Sequence, residues 1–278
     1  MHYFFALFVL YTFADSRTPE SYCQEGHQYG YPNFFSHHFY LGNKVYHLDG
    51  TLKFETPNLI SDVQSSQDLL ILTQGEVIDL STSKKIEFSS RPHRFTKFED
   101  TLFLADGSKI YSFVINDGSE TLLFDVKTLF GSTVVDIKQS NGIIFVLLTS
   151  VRQTGANGLM TFDAKTLRQI NLASYDSWRS GVIDPDSFLS FWRDEVILNN
   201  GGWIHRLKKD IVLKKRRVHP FWQSIPMGEG RDRFFMMLKG RPTVMEDKIV
   251  GCGSYSKKMI DHVESYSDFF SISLEIIK

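Results

Sequence analysis

The sequence lacks the short motifs by which many enzymes are recognised. It contains no nucleophile elbow, phosphate-binding loop, HExxH helix or EF-hand loop, and its paired glycines, Gly201-Gly202 and Gly228-Glu229-Gly230, have the surroundings of turns. No stretch has the periodicity of a long helix. With 31 basic and 32 acidic residues the net charge is −1, which argues against a nucleic-acid or membrane-surface partner. The missing motifs do not exclude a site assembled from distant strands.

Long apolar runs are also scarce, and the only clear one lies at the N-terminus. Residues 3–11 are apolar, too short to span a bilayer, and are followed by the small residues Ala14 and Ser16. This pattern predicts a secretory signal peptide over residues 1–16, although no lysine or arginine stands near its start. A buried N-terminal strand is the alternative. We therefore expect a secreted, extracellular protein without a membrane span.

Cysteine is nearly absent, because the chain has only two. An even count in an exported chain is more often a disulfide than a metal site, and no CxxC spacing or companion histidine suggests zinc. We predict that Cys23 and Cys252 form a disulfide between the segment before the first repeat and the last repeat.

The feature that is present many times is a strand-turn-strand unit. Its clearest copy extends from Phe98 to Phe113 and combines a turn, an apolar strand, a glycine turn and an alternating strand. A further short strand often precedes and follows the unit. The other copies begin at Ser36, Gln67, Ser140, Arg193 and Glu246.

Six copies of this unit predict an all-β fold, a β-propeller of six four-stranded antiparallel blades. The propeller is expected over residues 33–278, after an extension over residues 17–32. The 24 phenylalanines suit sheets that pack face to face. A β-sandwich or barrel is the alternative, but neither has a reason to repeat one unit six times.

The repeat resembles the quinoprotein-like and related six- to eight-bladed β-propellers. It lacks the Trp-Asp dipeptide of WD40 blades and, apart from Gly201-Gly202, the Gly-Gly signature of kelch blades. The resemblance therefore implies an architecture, and it identifies no subfamily and no activity.

Three acidic residues near the starts of predicted inner strands are the candidate metal ligands: Asp62, Asp136 and Asp184. The first strand of each propeller blade lines the central channel, so these carboxylates should converge near one mouth, with Arg94 beside them. Converging carboxylates suit calcium. Calcium-dependent propeller lactonases have ligands around such a channel, but no ligand set here matches theirs residue by residue. The alternative is that aspartate is simply common at turns and strand entries.

Two other groups of residues could bind a partner. Trp178 and Trp222 lie in predicted loops, where tryptophan can anchor an interface. The segment from Arg206 to Arg217 has seven basic residues and one acidic residue, and it ends in Lys214, Lys215, Arg216 and Arg217. It could bind an anionic polymer such as a glycosaminoglycan. Alternatively, it forms the outermost strand of a blade, where lysines discourage edge-to-edge pairing.

Two functions from different classes are consistent with these observations. The first is a non-enzymatic secreted protein that uses loops on one propeller face to hold an extracellular protein or an anionic glycan. For this function we expect a monomer without a cofactor. The second, less favoured, is a secreted calcium-dependent hydrolase with a site at the channel mouth, whose catalytic residues the sequence does not identify.

Overall fold

The computed structural model describes residues 17–25, 30–65, 69–82, 84–130, 132–150, 156–176, 187–200, 203–218, 221–224, 237–258 and 263–275. In these ranges the strands form six separate sheets, here called blades 1 to 6 in chain order. A short helix, α1 (Pro19–Glu25), precedes them. The predicted signal peptide over residues 1–16 lies outside the described residues.

The first three blades each have four antiparallel strands in sequence order. Blade 1 contains β1 (Asn33–Phe35), β2 (His38–Leu41), β3 (Lys44–His47) and β4 (Leu52–Glu55). Blade 2 contains β5 (Asp62–Ser65), β6 (Leu69–Thr73), β7 (Glu76–Asp79) and β8 (Lys84–Glu87). Blade 3 contains β9 (Arg94–Phe98), β10 (Thr101–Asp106), β11 (Lys109–Val114) and β12 (Glu120–Asp125), and is followed by α2 (Lys127–Phe130).

The other blades depart from this plan in their outer strands. Blade 4 contains β13 (Ser132–Ser140), β14 (Ile143–Ser150), β15 (Ala156–Asp163) and β16 (Gln169–Asp176). Blade 5 contains β17 (Leu189–Trp192), β18 (Glu195–Asn200) and β19 (Trp203–Lys208), after which come α3 (Lys209–Lys214), β20 (Arg217–Val218) and the fourth strand β21 (Phe221–Ser224). Blade 6 contains β22 (Met237–Met245), β23 (Lys248–Lys258) and β24 (Val263–Ser273).

The six blades form a closed ring. The first strand of each blade contacts the first strand of the next, in the order β1, β5, β9, β13, β17 and β22, and β22 contacts β1. The chain is therefore a six-bladed β-propeller, as its repeats predict. Among the described residues, blade 6 has three strands, and blade 4 has an additional parallel strand, β20.

Tight turns of two residues connect the first and second strands of blades 1, 3, 4, 5 and 6. Their first residue has a left-handed backbone with φ between 46° and 54°, as primed hairpin turns require. The five such residues in the described ranges are Ser36, Glu99, Asn141, Arg193 and Glu246. Because these turns lie at equivalent ends of their blades, they define one face of the propeller, here called the turn face.

Apolar side chains fill the spaces between neighbouring blades. Leu72 of blade 2 packs with Phe95 of blade 3, and Phe103 of blade 3 packs with Phe162 of blade 4, their ring centroids 5.4 Å apart. Large aromatic rings thus fill the space between sheets, where burial contributes most to folding.

The ring is sealed between blades 6 and 1 by α1. This helix packs against β23 and β24, and Tyr22 joins the same apolar cluster as Phe39 of blade 1 and Val250 of blade 6. Cys23 and Cys252 form a disulfide with Cα atoms 5.3 Å apart, and both residues are fully buried. The segment before the first blade is therefore part of the core.

One sequence-based expectation about an outer segment is wrong. The basic run was expected to form an outermost strand, but its centre is the helix α3, whose Val212 is buried against blades 4 and 5. Asn171 of β16 donates hydrogen bonds of 2.7 and 2.8 Å to the carbonyls of Val212 and Lys215 and so holds the end of the helix. The described residues between Ser254 and Asp268 belong to the paired strands β23 and β24.

Removing the disulfide should destabilise the folded ring. Because the cysteines are 229 residues apart, the Cys23→Ser/Cys252→Ser variant should lose about 2–5 kcal/mol of unfolding free energy in urea titrations. Peptide mapping without reduction checks the bond itself. Recovery of Cys23 and Cys252 as separately alkylated peptides from the purified protein would contradict this closure.

Candidate functional site

Two of the predicted acidic residues meet at the centre of the ring, where an arginine joins them. Arg241 on β22 places Nη1 3.0 Å from Oδ1 of Asp62 on β5 and Nη2 2.7 Å from Oδ2 of Asp136 on β13. The exposed fractions of Arg241, Asp62 and Asp136 are 7%, 2% and 0%. One guanidinium thus links blades 2, 4 and 6 across the channel. The third predicted ligand, Asp184, lies outside the described residues.

Backbone amides satisfy both carboxylates further. Asp62 accepts hydrogen bonds from the amides of Val63, at 3.0 Å, and Phe95, at 3.3 Å. Asp136 accepts from the amides of Ile137, at 2.9 Å, and Leu189, at 2.8 Å. Since Phe95 belongs to blade 3 and Leu189 to blade 5, each carboxylate also ties its own blade to the next.

Polar contacts around this centre include blade 1 as well. The carbonyl of Ser61 accepts hydrogen bonds from the Arg94 guanidinium of blade 3, at 3.0 Å, and from the Tyr40 hydroxyl of blade 1, at 3.2 Å. The His93 ring donates to the carbonyl of Val134 at 3.0 Å. The polar centre therefore contacts all six blades. These contacts supply the polar partners without which a buried charged group would not be tolerated.

The charges of this centre stabilise one another. Burial alone would raise the pKa of Asp62, but the positive charges of Lys138, Arg241 and Arg94 lower it below its ordinary value. Burial opposes the charge of Arg241, yet Asp136 and Asp62 raise the pKa of its guanidinium. Burial, assisted by Asp62, raises the pKa of Tyr40 to about 12, so its hydroxyl remains a donor. Asp62 and Arg241 are consequently charged at neutral pH.

A cavity of about 400 Å³ lies between this centre and the turn face. First strands of all six blades contribute to its wall, and the turn residues Ser36, His37 and Glu246 lie at one end, with Asp62 and Arg241 at the other. Its size is that of a ligand pocket. The inner end of the cavity is thus closed by charged residues, and this end is here called the floor.

Lys138 is the charged residue of the floor with the loosest contacts. Its ammonium lies 3.5 Å from Oδ2 of Asp62 and 3.9 Å from Oδ1 of Asp136, and its side chain is 23% exposed. We call Asp62, Asp136, Lys138 and Arg241 together the inner ion cluster. Sequence reasoning missed Lys138 and Arg241, although Lys138 stands two residues after Asp136 on the same face of β13.

The remaining predicted binding residues lie elsewhere. Lys214, Lys215, Arg216 and Arg217, here called the basic strip, are exposed beside the outer strand of blade 4, where β20 pairs with β16. Trp222 lies on β21, so its assignment to a loop is wrong. Trp178 falls outside the described ranges. No residue of the basic strip lines the cavity.

The calcium site remains a prediction. Within the part of the chain that the structure describes, no group of three or more His, Cys, Asp or Glu residues could hold a metal ion. Asp62 and Asp136 converge as expected, but Arg241 and Lys138 compensate their charges. A calcium ion bound between them would have to displace these cations.

Comparisons with known proteins concern architecture only. No family model and no curated protein matches the chain. Kluyveromyces lactis Hsv2 is similar over 88% of this chain and 87% of its own, at 8% identity and a TM-score of 0.46. A chain of the mitotic checkpoint complex is similar over 84% of this chain and 73% of its own, at 10% identity and a TM-score of 0.47. A chain from the structure of S. cerevisiae Dbp5 with Nup159, Gle1, IP6 and ADP is similar over 86% of this chain and 75% of its own, at 10% identity and a TM-score of 0.47.

At this level of similarity, none of these structures assigns an activity or a partner to the chain. As to membranes, the described helices are all too short or too polar for a transmembrane segment.

Replacing Arg241 should cost far more stability than replacing an exposed cation. Arg241→Met leaves two buried carboxylates without their shared partner, so we expect a loss of about 3–5 kcal/mol in urea unfolding. Arg241→Lys keeps the positive charge but cannot pair with both carboxylates in the same geometry. Its stability should therefore lie between those of wild type and Arg241→Met. The control is Lys44→Met, which removes an exposed pair with Glu55 at 3.9 Å and should cost at most about 1 kcal/mol. Equal losses for Arg241→Met and Lys44→Met would contradict the structural role of the cluster.

Acid should weaken the fold in part through Asp62. Because the folded pKa of Asp62 is lowered, its ionised form stabilises the fold above the unfolded pKa of about 4, and this contribution is lost as the pH falls through the lowered folded value. Asp62→Asn should be less stable than wild type at neutral pH but lose less on acidification. Melting temperatures from pH 7 down to pH 2 measure this. Parallel curves for the two proteins would show that Asp62 does not carry the effect.

Proposed function

We propose that this protein is a secreted, non-enzymatic binding protein that holds a protein partner on its turn face, with the central cavity in the middle of the contact. The observation that carries the proposal is the cavity of about 400 Å³, to which the first strands of all six blades contribute. Two-residue turns surround it, so the described turns add little bulk over its mouth. A rigid concave surface of this kind loses little conformational entropy on binding.

The chemistry of the floor favours binding over catalysis. A general base works best when its pKa lies near the working pH, whereas the pKa of Asp62 is lowered. Asp136 is completely buried and accepts hydrogen bonds from two backbone amides besides its pair with Arg241. Both carboxylates therefore have partners that hold the blades together.

Secretion is supported by two features. A fully buried disulfide that closes the ring is typical of proteins from oxidising compartments. The apolar segment at residues 3–11, followed by small residues, is the predicted export signal.

A second partner class, an anionic glycan, is favoured by the basic strip. Its four consecutive cationic side chains are exposed on a segment that crosses from blade 5 to the edge of blade 4. Lysine and arginine in such density attract polyanions.

The proposed face can be tested by capturing partners from extracellular fluid. His37 and Glu246, both exposed at the cavity mouth, are changed in one variant, His37→Glu/Glu246→Arg. Gln74 and Lys109, exposed at the opposite ends of blades 2 and 3, are changed in a control that alters the other face, Gln74→Arg/Lys109→Glu. Proteins bound by wild type and control but not by the mouth variant support the proposal. Partners lost only with the control variant would place the binding face on the other side.

The basic strip should give salt-sensitive retention on heparin. Changing Lys214, Lys215, Arg216 and Arg217 to serine should shift elution to much lower salt, because exposed charge pairs weaken as salt screens them. A charge-matched control changes four exposed lysines outside the strip to serine, namely Lys84, Lys85, Lys109 and Lys127. Heparin affinity chromatography compares the proteins. Equal elution shifts for the two variants would mean that the strip is no specific site.

A further inference from the structure

We propose that the central cavity binds a carboxylate attached to an apolar body, with Lys138 as the residue that pairs with the carboxylate. The proposal rests on the turn face being the binding face and names the chemistry that this face accepts at its centre. It follows from the charge of the floor, the position of Lys138 and the composition of the wall.

Among the residues that the structure describes, the centre of the ring has an excess of positive charge. Arg94, Lys138 and Arg241 supply three cations, whereas Asp62 and Asp136 supply two carboxylates. His93 does not add a charge at neutral pH, because burial, followed by the Arg94 charge, lowers its pKa. An anionic group that enters the cavity would therefore complete the charge balance, and a cation would worsen it.

Lys138 is the cation through which this excess is accessible. Arg241 donates to both carboxylates at 3.0 Å or less, whereas the Lys138 ammonium is 3.5 and 3.9 Å from them. The Lys138 side chain lines the cavity and is 23% exposed, compared with 8% for Arg241. Its ammonium can thus donate to a ligand oxygen, while Arg241 keeps both aspartates satisfied.

The wall above Lys138 suits the apolar part of such a ligand. Phe191, Val244 and Met245 line the cavity and are only partly buried, so they leave apolar surface that a ligand could cover. Burying that surface would supply most of the binding energy, and the carboxylate contact would supply selectivity. Glu246 is the one carboxylate among the described turn residues that line the cavity, and it is solvent-exposed, where water and salt screen it.

The test compares a carboxylate with its neutral isostere. Isothermal titration and saturation-transfer NMR measure binding of 3-phenylpropionate and 3-phenylpropionamide to the full secreted protein. We expect a Kd on the order of 1 mM for the acid, and binding about tenfold weaker for the amide, because a charge-assisted contact is lost. Lys138→Gln should remove the preference for the acid, while the exposed Lys127→Gln, outside the cavity, should keep it.

A second variant covers the case in which Lys138→Gln does not fold. Val244→Trp should fill the cavity and abolish binding of both probes, with the melting temperature reporting that the protein is folded. Equal affinities of acid and amide for wild type, or an acid preference that survives Lys138→Gln, would overturn the proposal. So would unchanged binding to folded Val244→Trp.

A further comparison, with a peptide, decides which kind of molecule supplies the carboxylate. The tetrapeptide acetyl-Gly-Ser-Gly-Phe is compared with its C-terminal amide and with 3-phenylpropionate. Tighter binding of the free-acid peptide identifies a chain terminus as the ligand, and tighter binding of 3-phenylpropionate identifies a small organic acid. If neither acid binds while capture still depends on the mouth residues, the carboxylate proposal fails and the proposed binding face stands.

Discussion

The ion pairs that Arg241 makes with Asp62 and Asp136 are the constraint on which the ring depends. Charged groups can be buried only if every one of them is paired, since an uncompensated buried charge costs several kcal/mol. Here the pairing is complete only when strands from blades 2, 4 and 6 surround the channel and amides from blades 3 and 5 face the carboxylates. The cluster and the closed ring therefore require each other. The apolar clusters between blades supply most of the stability, and the inner ion cluster specifies how the blades meet.

The same cluster makes the centre of the propeller suitable for recognition. The short ion pairs of Arg241 hold Asp62 and Asp136 in place, so a ligand would meet a floor that needs little rearrangement. Among the described residues the cluster and Arg94 have one more positive than negative charge, and Lys138 is the cation that lines the cavity. Within this cluster Arg241 links the blades, whereas Lys138 faces the cavity. The seam between blades 6 and 1 is secured independently by α1 and its disulfide.

The repeated turns made the fold predictable, because primed hairpins and alternating strands depend on local sequence. The convergence of Asp62 and Asp136 followed from the fold, since first strands line the channel. Arg241 was not predictable in this way, because β22 carries Pro242 and a register shift that interrupt the strand pattern. The helix α3 was mistaken for a strand because Ile211 and Val212 favour strands locally. Its actual conformation depends on packing against blade 4 and on contacts from Asn171, which are tertiary interactions.

The central claim is that one guanidinium couples two carboxylates from different blades, and a double-mutant cycle tests it most directly. Unfolding free energies are measured for wild type, Asp62→Asn, Asp136→Asn and the double variant. Because the second substitution leaves Arg241 buried with no carboxylate partner, the double variant should lose more than the sum of the single losses, with a coupling on the order of 1–3 kcal/mol. Additivity within about 0.5 kcal/mol would contradict the account, since independent sites add within that margin.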